Sequence, residues 1–301
     1  MQRFDDFDAW GEAVSGASLR MVCDGVETPT WSLGLVDLDC VLLQVASEGG
    51  GNICYGGNVH VGTQLFLPLT RAAEHVVNGE PLDDESLFVI PRGADFRIRL
   101  RRRAHAWCSI ALPDGVLPDG HGPASSGRVT CAGGKVERLR HLVHTIAGPL
   151  LDRPAGTAAH AAAGRRLLAA ATACLPVAAA AETGSCVGRP RLDRAEIVRR
   201  AMAAIEVTTV MPTTTELADV VGVTGRTLQR TFQESFGVPP KRYLLLRELH
   251  AIRRSLRAEG RDATVADVLV RHGVWEFGRF AARYRRHFGE FPSETLRQAG
   301  I

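Results

Sequence analysis

The sequence has almost no lysine, few aromatic residues, no Cys-x-x-Cys pair and no long hydrophobic run. Lys135 and Lys241 are the only lysines, and 6% of the 301 residues are aromatic. The seven cysteines are odd in number and scattered, which predicts reduced thiols in a cytoplasmic protein. The start of the chain has no apolar run, so no secretory signal is expected. The most apolar stretch, residues 158–181, includes Arg165 and Arg166 and predicts a packed helix rather than a membrane span.

The composition is that of a chain with a buried core, and its charge is unevenly distributed. Hydrophobic residues make up 45% of the chain and charged residues 23%, and the length favours two domains. Residues 190–301 contain 19 basic and 13 acidic side chains, whereas residues 1–189 contain 17 and 20. The net charge of +3 excludes a histone-like basic protein. The basic C-terminal third alone predicts a polyanionic partner.

Residues 30–112 have the pattern of short β-strands separated by glycine turns. Side chains from Phe96 to Leu100 alternate in polarity, as in a strand with one solvated face. Glycine-rich turns at residues 49–52 and 56–58 favour a small antiparallel barrel or sandwich. The hydrophobic spacing becomes helical over residues 129–181, where Pro149 and Pro154 are expected to break the chain. Residues 182–192 predict a linker, and residues 193–301 predict an all-helical domain.

Two segments of the helical domain match each other at a constant offset of 52 residues. The first is Leu228-x3-Phe232-x3-Phe236-Gly237-x2-Pro240, and the second is Phe280-x3-Tyr284-x3-Phe288-Gly289-x2-Pro292. The spacing of four places the apolar side chains on one face of a helix. Glycine ends each helix and proline begins the next one. The same supersecondary unit is therefore predicted to occur twice.

A capped helix followed by a tight turn precedes the first segment. Thr213 and Glu216 have the spacing of a capping box, Gly222 suits a turn with positive φ, and Thr224 can cap the next helix. This arrangement predicts a helix-turn-helix unit, whose second helix enters the DNA major groove. The polar residues that project outward from that second helix suit base edges, because arginine pairs with guanine and glutamine with adenine. They are Arg226, Gln229, Arg230 and Gln233.

The second copy follows a longer turn and has fewer candidate base contacts. Its first helix begins near Thr264, Gly273 supplies the turn, and the outward residues are Glu276, Arg279 and Arg283. Glu276 is expected either to accept from cytosine or to interact with the helix dipole. A helix from Pro240 to Glu259, ended by Gly260, joins the two copies. Its length of ~30 Å is close to the ~34 Å between successive major-groove faces.

At these residues the sequence resembles the AraC/XylS family of bacterial transcription regulators. The resemblance covers about residues 193–297, and the run from Gly278 to Ser293 is most similar to the XylS-like branch. It implies two helix-turn-helix units that bind promoter DNA, most often in an activator that acts near RNA polymerase. Two departures are Val274 in the second turn and Ala282, where the family commonly has phenylalanine and arginine. The expected DNA-binding residues are Thr224, Arg226, Thr227, Gln229, Arg230, Gln233, Glu276, Arg279, Ala282 and Arg283.

The resemblance also implies an N-terminal cupin-like β-barrel that senses a small effector, followed by helices that form a homodimer. The expected fold class is thus α+β, with a β-rich sensor over residues 1–128, a helical dimerisation segment over 129–181 and a DNA-binding domain over 193–301. The candidate effector pocket comprises Trp31, Tyr55, Phe66 and Trp107.

No metal site or cofactor is expected, because His60 and His75 are isolated in the sequence. Two alternatives to an effector-gated regulator stay open. One is a barrel enzyme with an accessory helical domain, which lacks a metal triad or acid–base pair at suitable spacing. The other is a regulator without a small ligand, controlled by a partner protein. The expectation is a regulator and not an enzyme.

Overall fold

A computed structural model of the chain describes residues 1–115, 125–151, 153, 155–175, 193–259 and 263–299. The chain divides into two units, Met1–Cys186 and Val187–Ile301. The predicted linker at residues 182–192 and the predicted helix stop at Gly260 lie outside the described residues. Among the helices of the described ranges, none is long and apolar enough to cross a membrane.

The N-terminal unit is built on two antiparallel sheets. One sheet has seven strands in the order β1-β3-β4-β11-β6-β9-β12, and the other has five in the order β2-β5-β10-β7-β8. The strands are β1 (Gln2–Phe4), β2 (Ala17–Val26), β3 (Trp31–Asp37), β4 (Leu42–Glu48), β5 (Gly50–Asn58), β6 (Thr63–Pro68), β7 (Val76–Val77), β8 (Glu80–Pro81), β9 (Ser86–Ile90), β10 (Asp95–Leu100), β11 (His105–Leu112) and β12 (Gly127–Thr130).

The antiparallel β-rich prediction is confirmed, but the closed barrel is wrong for the described strands, which pair within two separate sheets. The chain leaves the seven-stranded sheet at the end of β4 and enters the five-stranded sheet at the start of β5. A Cβ atom on Gly49 would lie 1.7 Å from the Thr28 carbonyl oxygen, and one on Gly51 would lie 2.0 Å from the Arg102 nitrogen. Only glycine fits this close approach of backbones. The corner thus redirects the chain between sheets instead of continuing one sheet around a barrel.

The seven-stranded sheet is buried on both faces. Along β6, Leu65 and Leu67 belong to a core shared with two helices, while Phe66 belongs to a core shared with the five-stranded sheet. The period of two in a strand separates these neighbours onto opposite faces. The helices of this unit are α1 (Phe7–Ala13), α2 (Lys135–Leu151) and α3 (Ala158–Ala173).

Three expectations for this unit were wrong. Strands begin at Gln2 rather than near residue 30, and β12 continues to Thr130, within the segment expected to be helical. Pro149 does not break the chain but lies in the last turn of α2. There it removes a single backbone hydrogen-bond donor, and only two residues of the helix follow it. Pro154 lies outside the described residues.

The C-terminal unit is helical throughout its described residues, as predicted. Its helices are α4 (Arg194–Glu206), α5 (Thr214–Val221), α6 (Gly225–Phe236), α7 (Pro240–Ala258), α8 (Val265–Arg271), α9 (Phe277–Phe288) and α10 (Pro292–Ala299). Helix α4 packs against α5 and α6, and α10 packs against α7, α8 and α9. The 52-residue repeat is confirmed, since α9 begins and ends 52 residues after α6 and both end at a glycine with positive φ.

We expect Gly222→Ala to destabilise the C-terminal unit by about 1 kcal/mol. Gly222 ends α5 with φ of 77°, and an added Cβ would meet nothing within 4 Å, so backbone strain alone sets the effect. Gly222→Asn should cost less, because asparagine tolerates this conformation. Urea unfolding followed by circular dichroism measures both. The control is Gly278→Ala, inside α9, which should be neutral or stabilising. Equal losses at both glycines would contradict the strain argument.

Candidate functional site

Helices α5 and α6 form a helix-turn-helix whose ends are fixed by three local hydrogen bonds. The Thr213 hydroxyl accepts from the Glu216 N–H at 3.2 Å, and the Glu216 carboxylate accepts from the Thr213 N–H at 2.7 Å. The Thr224 hydroxyl accepts from the Thr227 N–H at 3.2 Å and caps α6. These caps satisfy amides that a helix start leaves unpaired, and they define where α6 begins.

Helix α6 has one buried face and one exposed polar face. Leu228 and Phe232 are fully buried, which directs the opposite side of the helix to solvent. The six residues expected to contact DNA on this helix are all exposed. They are Thr224, Arg226, Thr227, Gln229, Arg230 and Gln233.

The exposed face of α6 contains arginines in two different states. The Arg230 Nε donates to Glu234 at 2.8 Å, and Arg194 contacts the other oxygen of the same carboxylate at 2.8 Å. The hydrogen bond from Arg230 holds the pKa of Glu234 below its usual range. Arg226, by contrast, has no ion-pair partner within the described ranges. The Arg226 guanidinium is therefore available for a further partner, whereas that of Arg230 is already engaged by Glu234.

Gln233 is also partly committed. Its side-chain nitrogen donates to the Gly237 carbonyl at 3.2 Å, at the end of the helix. Bidentate recognition of adenine needs both the donor and the acceptor of the amide. Gln233 keeps its second amide hydrogen for such a contact, and Gln229 on the same face makes no such hydrogen bond within the described structure.

Helices α8 and α9 repeat the arrangement with a longer turn. Thr264 and Asp267 form a capping box at the start of α8, and Gly273 has φ of 73°. Glu276 occupies the cap position of α9 but does not bond the backbone there; its carboxylate accepts from Arg279 at 2.8 Å. The four residues expected to contact DNA here are all exposed. They are Glu276, Arg279, Ala282 and Arg283.

Trp275 is a candidate contact that sequence reasoning left without a role. It lies just before α9 and is 72% exposed, although tryptophan is normally well buried. A sequence feature could have identified it as exposed: Trp275 follows the buried Val274 and does not belong to the apolar stripe of Phe280 and Tyr284. An exposed apolar ring at the start of α9 is of the kind that can contact a thymine methyl group.

The N-terminal unit contains a cavity between the two sheets that is partly open to solvent. Of the four predicted pocket residues, Phe66 and Trp107 line it. Trp31 instead packs against Phe7, with ring centroids 6.3 Å apart. The Tyr55 hydroxyl donates to Asp95 at 3.0 Å, away from the cavity lining.

Polar residues that line the cavity were also missed from the sequence, because long-range strand pairing brings them together. They are Ser15, Gln44, Glu48, Asn52, Gln64, His75, His105 and Ser109. Within the described residues, no group of three or more His, Cys, Asp and Glu side chains is placed to hold a metal ion.

Comparisons with known proteins agree with the helix-turn-helix assignment of the C-terminal unit. Residues 217–298 match the helix-turn-helix domain model. The chain is 34% identical over 149 residues to a probable thc operon regulatory protein of Rhodococcus erythropolis, covering 49% of this chain and 45% of that protein. It is 36% identical over 83 residues to a XylDLEGF operon transcriptional activator of Pseudomonas putida, covering 27% and 26%.

Among solved structures, a probable AraC family transcriptional regulator from Rhodopseudomonas palustris aligns with a TM-score of 0.31 and 31% identity. That alignment covers 35% of this chain and 98% of the other. The matches span less than half the length of the two curated relatives.

Proposed function

The chain carries a helix-turn-helix domain of the AraC/XylS family of transcription regulators, and on that premise we propose that it is a sequence-specific regulator of transcription that binds promoter DNA. The observation that carries the proposal is the exposed polar face of α6, set on a fully buried apolar face. Such a helix fits the major groove and presents donors and acceptors to base edges. The family consists of transcription regulators, so the barrel-enzyme alternative is set aside.

We propose that α6 and α9 bind adjacent segments of the major groove on one side of the duplex. Helix α7, which joins the two helix-turn-helix motifs of the C-terminal unit, has 19 residues. At ~1.5 Å per residue it is ~28 Å long, close to the ~34 Å between successive groove faces. A single chain thus carries two reading helices and does not require a palindromic operator.

Arg226→Ala is expected to weaken binding to a cognate promoter fragment by about ten- to hundredfold, because one bidentate base contact is lost. Arg230→Ala should have a smaller effect, since Arg230 must give up Glu234 to bind DNA. Fluorescence anisotropy with the promoter fragment and with an unrelated duplex measures affinity and specificity at several salt concentrations.

The control for this experiment is Arg3→Ala, an exposed arginine on β1 of the N-terminal unit. It removes the same charge without touching α6, so promoter affinity should not change. A base contact at Arg226 should lower the ratio of specific to non-specific affinity. A phosphate contact should weaken both equally and reduce the salt slope by about one. Promoter binding by Arg226→Ala equal to that of the unmodified chain would contradict the assignment of α6.

We also propose that the regulator activates transcription near RNA polymerase, responds to a small effector through its N-terminal unit, and forms a homodimer through α2 and α3. The two curated relatives are named as an operon regulator and an operon activator. The cavity between the sheets favours an effector over control by a protein partner alone. Genome-wide mapping of bound DNA identifies the regulated genes, and sedimentation equilibrium measures the dimer.

A further inference from the structure

The cavity of the N-terminal unit has an apolar body, a polar end and a second polar group around Gln44 and Gln64. Most of its lining is aliphatic or aromatic, with Leu19, Met21, Ile98 and Leu100 contributed by the five-stranded sheet. The polar end is centred on Glu48, at the end of β4. Such a cavity suits a ligand that is largely apolar, with one polar group that fixes its orientation.

The Glu48 carboxylate is already satisfied by three neighbours. One oxygen accepts from the Trp107 indole at 2.6 Å and lies 3.3 Å from His105 Nε2. The other accepts from the Asn52 amide nitrogen at 2.5 Å. The carboxylate therefore has little capacity for a ligand. It fixes the Asn52 amide with its nitrogen inward, so that the Asn52 oxygen is the atom left for another partner.

Two acceptors at this end have no hydrogen-bond partner among the described residues. They are Asn52 Oδ1 and His75 Nε2, and both residues are buried. His75 Nδ1 lies 2.9 Å from the Arg71 carbonyl, which can only accept, so Nδ1 carries the proton. Burial, with a further contribution from His105, lowers the pKa of His75 to about 3 and keeps the ring neutral. Nε2 is therefore a lone-pair acceptor.

The imidazole of His105 and the side-chain amides of Gln44 and Gln64 already have partners. His105 uses Nε2 toward Glu48 and has Nδ1 3.1 Å from the Arg103 carbonyl. The Gln64 amide nitrogen donates to the Gly16 carbonyl at 2.9 Å. That of Gln44 lies 3.4 Å from the Ser109 hydroxyl. At the Glu48 end, a carboxylate ligand would bring only acceptors to groups that are already unpaired acceptors, and a buried unpaired charge is strongly unfavourable.

We propose that this cavity binds a neutral, largely apolar molecule with a hydroxyl group, an alcohol or a phenol, which donates to His75 Nε2. That such a molecule is the effector rests on the proposed regulatory function; that it binds does not. The hydroxyl group is selected because the acceptor that Arg71 leaves on His75 would otherwise stay unpaired in the protein interior.

Calorimetric titration of the full chain with three molecules of one carbon skeleton tests this proposal. The probes are para-ethylphenol, its methyl ether para-ethylanisole, and para-ethylbenzoate. We expect the phenol to bind about tenfold or more tightly than the ether, and the benzoate not to bind, since a site that needs a donor discriminates against molecules without one. Similar affinity for the ether or the benzoate, or binding of none of the three, would overturn the proposal.

His75→Phe removes the acceptor and keeps an aromatic ring. We expect it to lower the affinity for the phenol to that of the ether and to leave the ether unchanged. The matched control is His144→Phe, an exposed position on α2, which should bind all three probes like the unmodified chain. If His75→Phe does not fold, the selectivity of the unmodified chain among the probes still decides.

Promoter binding is measured separately on the same preparations. A chain that binds the promoter but not the phenol keeps the regulatory proposal and loses this one. A chain that binds the phenol selectively but no DNA keeps the cavity assignment and loses the regulatory proposal.

Discussion

Replacing Phe232 by alanine is expected to reduce the stability of the C-terminal unit by about 3–5 kcal/mol and to abolish promoter binding. Phe232 is fully buried in α6, with its ring centroid 5.2 Å from Phe236 and 5.6 Å from Tyr243. Its removal opens a cavity where α6 packs against its neighbours, so the orientation of the exposed face is lost together with the packing energy.

Amide hydrogen exchange along α6 is the appropriate measurement, because a chain of two units need not unfold in one step. Protection factors in α6 should fall by several orders of magnitude, while those of the seven-stranded sheet stay unchanged. Val220→Ala is the control, since Val220 lies on α5 of the same unit but is 70% exposed. Unchanged exchange in α6 of Phe232→Ala would contradict the assignment of its buried face.

Glu48→Leu is expected to destabilise the N-terminal unit by about 3–5 kcal/mol, because removal of one buried charge leaves its partners unpaired. The Trp107 indole, the Asn52 amide and the His105 ring all lose their acceptor. Leucine fills most of the volume, so the loss comes mainly from polar groups and not from a cavity. Urea unfolding followed by the fluorescence of the buried tryptophans measures it, with the exposed Glu80→Leu as control.

The loss should also depend on pH with a defined sign. Burial lowers the pKa of His105, but the adjacent Glu48 carboxylate outweighs it and raises that pKa above the ordinary value. The pair therefore contributes most below the unfolded pKa of His105, and its contribution disappears as the pH rises through the folded pKa. In Glu48→Leu burial acts alone and favours the neutral ring. The difference between the two proteins should be larger at about pH 6 than at about pH 9; an equal difference at both would exclude a charged His105.

The C-terminal unit could be predicted from the sequence because local signals determine it. Gly237 and Gly289 end α6 and α9 at equivalent positions, and Thr213 and Thr264 start the preceding helices α5 and α8 through capping boxes. Each signal acts within one helical turn. The spacing of the apolar residues then identifies the exposed face without knowledge of any distant contact.

The N-terminal unit could be predicted only as far as its β-rich, antiparallel class. The sequence of a strand shows which residues alternate between its two faces, but it does not show which other strand pairs with it. Glu48 and His105 are far apart in the sequence and become neighbours because β4 pairs with β11. The cavity and its two unpaired acceptors arise from such pairings, and for this reason only Phe66 and Trp107 of the four aromatic residues chosen from the sequence line it.

Helix α7 lies between the two helix-turn-helix motifs, so its length affects how one motif is rotated relative to the other. Each residue of α7 advances the chain by ~1.5 Å but turns it by ~100°. The loss or gain of one residue would therefore hardly alter the distance between α6 and α9, yet it would swing one of them away from the duplex. Only a few lengths of α7 would therefore keep α6 and α9 on the same side of the duplex. Under the proposed function, substitutions on α6 and α9 change which bases are recognised. The length of α7 instead fixes how the two recognised DNA segments are aligned with each other.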